Sequence, residues 1–121
     1  MCIRDRFQGK PVIINFWASW CVECDKEMTL LEQIHRKYDG EVVMLGIAYS
    51  DVEPKAREYL AQYGITYLAG QDLGSRISDA YRIKGVPETF FIDRDGNVHY
   101  LKIGPIEAPE LEGVIGQLLS E

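Results

Sequence analysis

The 121-residue chain is 46% apolar and 26% charged, with a formal net charge of −6. That length and apolar content fit one compact domain with a buried core. The acidic balance, without a basic patch, argues against a nucleic-acid partner; no apolar run is long enough to span a bilayer, and no repeat, low-complexity tract or linker divides the chain.

Residues 1–6, Met1-Cys2-Ile3-Arg4-Asp5-Arg6, back-translate as ATG TGT ATA AGA GAC AG-, which resembles the transposase adapter of sequencing libraries. The expectation is that these residues are foreign to the domain and are excluded from fold reasoning. Cys2 is then not a biological thiol, and residues 7–121 carry 11 basic and 18 acidic side chains, a charge of −7. A domain running over 7–121 is expected to lack an N-terminal part, where a signal, anchor or strand would lie. It is also expected to expose an edge or apolar surface.

Val12 to Trp17 is too apolar and β-prone for a surface loop and predicts a buried central strand. From Val22 to about Tyr38 the periodicity predicts one helix, with Cys24, Met28, Leu31, Ile34 and Tyr38 on its inner face and Gly40 beyond its end. Val42–Ala48 is a second buried strand, parallel to the first because a helix links them. Ser50-Asp51-Val52-Glu53-Pro54 opens a second helix that reaches Tyr63 and stops at Gly64. A short strand over Ile65–Ala69 and a short helix over Ser75–Tyr81 follow. Thr89–Asp93, the turn Arg94-Asp95-Gly96 and Asn97–Ile103 read as an antiparallel hairpin. The last helix spans Ala108–Leu119, with Leu111, Ile115 and Leu118 or Leu119 facing in, although Gly113 and Gly116 weaken it. Two parallel strands, a hairpin and a closing helix make an α/β fold of thioredoxin-like topology: a three-layer sandwich with a central mixed sheet flanked by helices.

Trp20-Cys21-Val22-Glu23-Cys24 falls where the first strand hands over to the first helix. Cys21 there meets the positive end of a helix, which stabilises a thiolate. Cys24 lies one turn further on the same face, within disulfide reach. The arrangement is that of a reversible dithiol/disulfide site. A structural zinc site would need two further ligands, and only Cys2 and the distant His35 and His99 remain. A purely structural disulfide closing so short a loop would restrain little chain. Glu27, three residues after Cys24, shares its face; a partly buried carboxylate there would raise the thiol pKa values and relay the proton of Cys24. His35 is expected to be exposed and His99 to lie on the hairpin, with no metal ligand set. Trp17 is either core or part of the site.

Gly9-Lys10-Pro11-Val12-Ile13-Ile14-Asn15-Phe16-Trp17-Ala18-Ser19-Trp20-Cys21, Glu27, and Gly85-Val86-Pro87-Glu88-Thr89-Phe90-Phe91-Ile92-Asp93 resemble the TlpA/ResA/DsbE group of thioredoxin-like thiol-disulfide reductases, over nearly all of residues 7–121. Pro87-Glu88-Thr89-Phe90 together with Ile103-Gly104-Pro105-Ile106 leans towards the DsbE type, which serves cytochrome c maturation. The resemblance implies a protein-disulfide reductase whose redox group is the Cys21–Cys24 pair, with no separate cofactor and no metal. Its implied partners are exported protein disulfides, apocytochrome c or its maturation factors among them, and a membrane electron donor. The implied location is extracytoplasmic or periplasmic, anchored to the cytoplasmic membrane by an N-terminal segment.

The resemblance also makes Pro87 a cis proline that brings Val86 beside Cys21 and offers its backbone to an extended substrate segment. Trp20, Val22, Glu23 and Val86 become the substrate surface, although Glu23 also suits the helix start as a simple surface carboxylate. Thioredoxin carries an Asp where this chain has Asn15, which leaves Glu27 as the internal acid/base. Two departures stand out. Val22-Glu23 replaces a pair that often contains Pro, which bears on the potential. Thr29 replaces a Pro that often bends the helix after the Glu, which bears on helix shape. Rival readings are a general disulfide oxidant or isomerase, separated by reduction potential, and a copper chaperone using Cys21, Cys24 and a histidine, separated by metal titration.

Overall fold

A computed structural model describes residues 9–71 and 76–120. The expectations for residues 1–6 and Cys2, and the helix start at Ser75, lie outside these. The elements run β1 (Val12–Trp17), α1 (Val22–Asp25), α2 (Met28–Lys37), β2 (Val43–Ala48), α3 (Glu53–Gln62), β3 (Leu68–Gln71), α4 (Arg76–Ala80), β4 (Glu88–Ile92), β5 (Val98–Ile103) and α5 (Ala108–Leu119). The sheet order is β3-β2-β1-β4-β5. β1 pairs parallel with β2 and antiparallel with β4, β3 joins β2 in parallel, and β4–β5 is the hairpin.

Every residue of β1 is buried, because both sheet faces are covered there. On one face Ile13 and Trp17 pack with Met28, Leu31 and Ile34 of α2, Ala56 and Tyr59 of α3, and Leu111, Val114, Ile115 and Leu118 of α5. On the other, Val12, Ile14, Phe16, Phe90 and Ile92 pack against Ile77, Tyr81 and Ile83. This is the three-layer, mixed-sheet thioredoxin-like sandwich. Gly113 and Gly116 fall on the exposed side of α5, so they cost it no core contact. Gly46 has a packing role: a Cβ there would lie 2.9 Å from Trp17 Nε1 and 3.1 Å from Tyr67 Cε1, so only its bare backbone lets both rings close over β2.

Three expectations are corrected. The third strand lies over Leu68–Gln71, later than Ile65–Ala69: Tyr67 turns into the core, and Leu68 is the first residue to pair, opposite Leu45. His35 is half-buried, its ring edge-on to Tyr67 at 5.7 Å between centroids, because the α2 face that carries it reaches under the loop before β3. The helix over 22–38 is two helices. Lys26 N–H bonds back to the Glu23 carbonyl and Glu27 N–H to the Cys24 carbonyl, at 3.3 and 3.1 Å. This tighter i→i+3 pattern closes α1. Glu27, at φ −119° and ψ −9°, is the N-cap of α2, and Leu31 N–H to the Glu27 carbonyl restarts the ladder at 2.9 Å. The break occurs with exposed Thr29, not Pro, after it.

Candidate functional site

Buried β1 delivers Ala18 to Trp20 to the end of the sheet where β4 begins, and Cys21 is the N-cap of α1. Cys21 and Cys24 form a disulfide, with Cα atoms 5.3 Å apart. Cys21 retains 6% of its surface and Cys24 none, so an attacking or attacked sulfur is reached at Cys21. Cys24 N–H donates to Cys21 Sγ at 3.1 Å. With α1 only one turn long, thiolate stabilisation falls to this local N–H and not to a long helix dipole, an effect confined to the first turn in any case.

Glu27, three residues after Cys24, is fully buried. Its Oε1 accepts from Asn15 Nδ2 at 2.8 Å and its Oε2 from Ile106 N–H at 2.9 Å. Asn15 Nδ2 also donates to Thr89 Oγ1 at 3.0 Å, which ties β1, the helix break, β4 and the turn before α5 together. Burial raises the Glu27 pKa to about 7, against the lowering effect of the Ile106 and Asn15 hydrogen bonds. A carboxyl group poised there exchanges a proton at neutral pH, and its position one turn past Cys24 suits that thiol. Asn15 Oδ1 is buried with no hydrogen-bond partner among the described residues, the acceptor that a protonated Glu27 lacks in the present amide orientation.

The Val86–Pro87 peptide is cis. Val86 packs against both buried clusters, one of which contains Cys21 and Cys24. Val86 and Pro87 line a groove together with Glu23. Trp20 and Val22 are 57% and 73% exposed. Glu23 is exposed and pairs with Lys26 at 2.8 Å. Trp17 is core, stacked on Tyr59 at 5.4 Å. His35 and His99 stand away from this constellation, and among the described residues no group of three or more His, Cys, Asp or Glu side chains is placed to hold a metal ion.

Sequence reasoning missed the brace on the loop before Cys21. Asp51 accepts from Ser19 N–H at 2.7 Å and from Ser19 Oγ at 2.8 Å. The Trp20 indole N–H donates to the Ser50 carbonyl at 2.9 Å, and Ser50 adopts φ 49° to present it. Gln71 of β3 holds the Asp51 carbonyl at 2.7 Å. The only available signal was an Asp just before a helix start, where a capping role is the ordinary reading.

The fold and this disulfide at a strand-to-helix junction define a thioredoxin-like dithiol/disulfide domain. The chain belongs to the Redoxin family, whose model matches residues 3–115. It is 30% identical over 112 residues to the thiol-disulfide oxidoreductase ResA of Bacillus thuringiensis, covering 92% of this chain and 65% of that protein. It is 33% identical over 106 residues to the thiol:disulfide interchange protein DsbE of Allochromatium vinosum, covering 87% and 58%. The chain thus spans about two thirds or less of these relatives' length. Among solved structures it superposes on a thiol:disulfide interchange protein of the thioredoxin family from Chlorobium tepidum with a TM-score of 0.86, at 27% identity over 96% of this chain and 84% of that one.

Proposed function

We propose that the chain is a protein-disulfide reductase working by thiol-disulfide exchange. The observation that carries this reading is a disulfide between Cys21, which keeps a little exposed surface, and fully buried Cys24, with the buried carboxyl of Glu27 three residues further along the chain. In the reduced protein, the Cys21 thiolate attacks one sulfur of a substrate disulfide in line. The substrate S–S bond breaks, one substrate thiolate leaves and takes a proton, and a Cys21–substrate mixed disulfide forms. Glu27 accepts the Cys24 proton, and Cys24 attacks Cys21 Sγ. The second substrate thiolate leaves, the Cys21–Cys24 disulfide remains, and two electrons have passed to the substrate. No other cofactor is needed in this scheme; an external dithiol donor restores the reduced pair.

The substrate approaches as an extended segment along the Val86 backbone, with Trp20, Val22 and Glu23 as contact surface. The names of the relatives support thiol-disulfide exchange. The resemblance to the TlpA/ResA/DsbE group carries the finer reading: exported protein disulfides as substrates in cytochrome c maturation, with apocytochrome c or its maturation factors as partners and a membrane donor. The same likeness supports an extracytoplasmic location, with the full-length protein anchored to the cytoplasmic membrane. No helix of the described residues is long and apolar enough to cross a membrane. Equilibration with glutathione or dithiothreitol buffers tests the direction of electron flow: a reductase has a potential well below about −200 mV, and a value near −120 mV makes the chain an oxidant.

A further inference from the structure

Against Glu23, which lies between the two cysteines in the chain, a groove of about 670 Å³ opens between residues 81–87, the start of β4 and the end of β5. Its floor is apolar. Leu101 and Ile103, two apart on β5 and so on one sheet face, are 41% and 72% exposed. Leu101 lies opposite Phe90 and Ile103 opposite Glu88 in the hairpin register. Tyr81, edge-on to Phe90 at 4.9 Å, and Val86 close the other wall. β5 is the last strand of the sheet, so its outer backbone edge has no strand neighbour among the described residues.

The rim carries Arg82 and Lys84, both exposed, and among the described residues neither joins an ion pair. Two cations two residues apart, both lining one groove, give that groove a local positive charge on a chain of net charge −6. The acids on the wall are Glu23, paired with Lys26, and Glu88, which is buried with Oε2 held by the backbone N–H groups of Lys84 and Gly85 at 3.1 and 3.3 Å. Arg82 also sits where glycine is the unstrained choice. Helix α4 ends in a left-handed turn at Arg82, φ 57°, with Arg82 N–H on the Asp79 carbonyl and Ile83 N–H on the Ser78 carbonyl.

We propose that this groove selects substrate segments that are aliphatic at alternate positions and acidic at one end, the aliphatic side chains lying on Leu101 and Ile103 and the carboxylates meeting Arg82 and Lys84. The proposal rests on the reading of the chain as a disulfide reductase. Glu23, Val86 and Pro87 line the same groove, so a segment held there carries its own sulfur towards Cys21. Charge pairing at an exposed rim favours the right partner and fades with salt.

The test separates binding from chemistry. In full-chain Cys21→Ser/Cys24→Ser protein, the affinities of two cysteine-free ten-residue peptides are measured, each with leucine at alternate positions and ending in either Asp-Asp or Lys-Lys. The acidic peptide should bind at least tenfold tighter at low salt, and the gap should narrow at 0.5 M salt. Arg82→Gly/Lys84→Gln should close the gap, and the glycine suits the local backbone, so a thermal melt should show no loss of folding. Ile103→Ser should weaken both peptides severalfold. Equal affinities, a gap that survives salt and the double substitution, or no binding of either peptide would overturn the proposal. Failure of the wild-type protein to reduce hydroxyethyl disulfide, a small neutral substrate with nothing to offer the rim, would instead overturn the reductase reading.

Discussion

Glu27 has no exposed surface, and its two hydrogen bonds only partly offset the cost of burying its charge. The sign of its effect on stability follows. A carboxyl whose folded pKa is raised to about 7, from 4.5, is held best when protonated. Its contribution is therefore fully present below about pH 4.5 and is lost as pH rises through about 7, a swing on the order of 3 kcal/mol. The oxidised protein, whose cysteines do not titrate, should accordingly gain stability between pH 7.5 and 5 in urea denaturation. Glu27→Gln should flatten that rise. In the reduced protein the same substitution should lower the pKa of the thiols, by removing a neighbouring negative charge, and slow resolution by Cys24. Wild-type denaturation profiles, thiol titration curves and exchange rates in the variant would show that Glu27 has no such role.

At the scale of elements, the loop before Cys21 is held by a neighbour from another part of the chain. Asp51, 32 residues after Ser19, fixes that residue through two short hydrogen bonds, and Ser50 fixes the Trp20 indole. Asp51→Ala should cost about 1.5–3 kcal/mol, the range for hydrogen bonds to a charged group. It should also slow exchange at Cys21 severalfold and change Trp20 fluorescence, with Asp51→Asn restoring part of the rate. A variant that melts and reacts as wild type would make the brace incidental. This contact was not legible in the sequence, because nothing local distinguishes a loop carboxylate that caps its own helix from one that reaches a distant loop. The α1/α2 break was hidden for the same reason. Apolar spacing carries through it unchanged, with Cys24, Met28, Leu31 and Ile34 all buried, while the turn at Lys26–Glu27 coincides with bonds from Glu27 to Asn15 and to Ile106, 12 and 79 residues away. The strands β1, β2, β4 and β5, the inner faces of α2 and α5 and the cysteine pair were legible, since periodicity and spacing are local quantities. β3 was not, because its short run Leu68-Ala69-Gly70-Gln71 does not alternate apolar with polar and Tyr67 turns into the core just before it.

For the whole molecule, the sheet order explains why chemistry collects at one end. β1 has a parallel neighbour on one side and an antiparallel neighbour on the other. Its carboxyl end and the amino end of β4 therefore meet at the same edge of the sheet. Cys21 follows the first, Pro87 precedes the second, and Gly104 at the end of β5 bonds the Pro87 carbonyl at 2.9 Å. α2, α3 and α5 cover one face of the sheet, Ile77, Tyr81 and Ile83 pack on the other at β1 and β4, and the groove and Trp20 stay open. Trapping separates the two roles proposed for the cysteines, attack by Cys21 and resolution by Cys24. Reduced Cys24→Ser and Cys21→Ser proteins are each mixed with a disulfide-bonded protein, acid-quenched and mapped by mass spectrometry. Cys24→Ser should give a stable mixed disulfide through Cys21, and Cys21→Ser should give no adduct. A mixed disulfide through Cys24, formed as readily when Cys21 is absent, would contradict those roles.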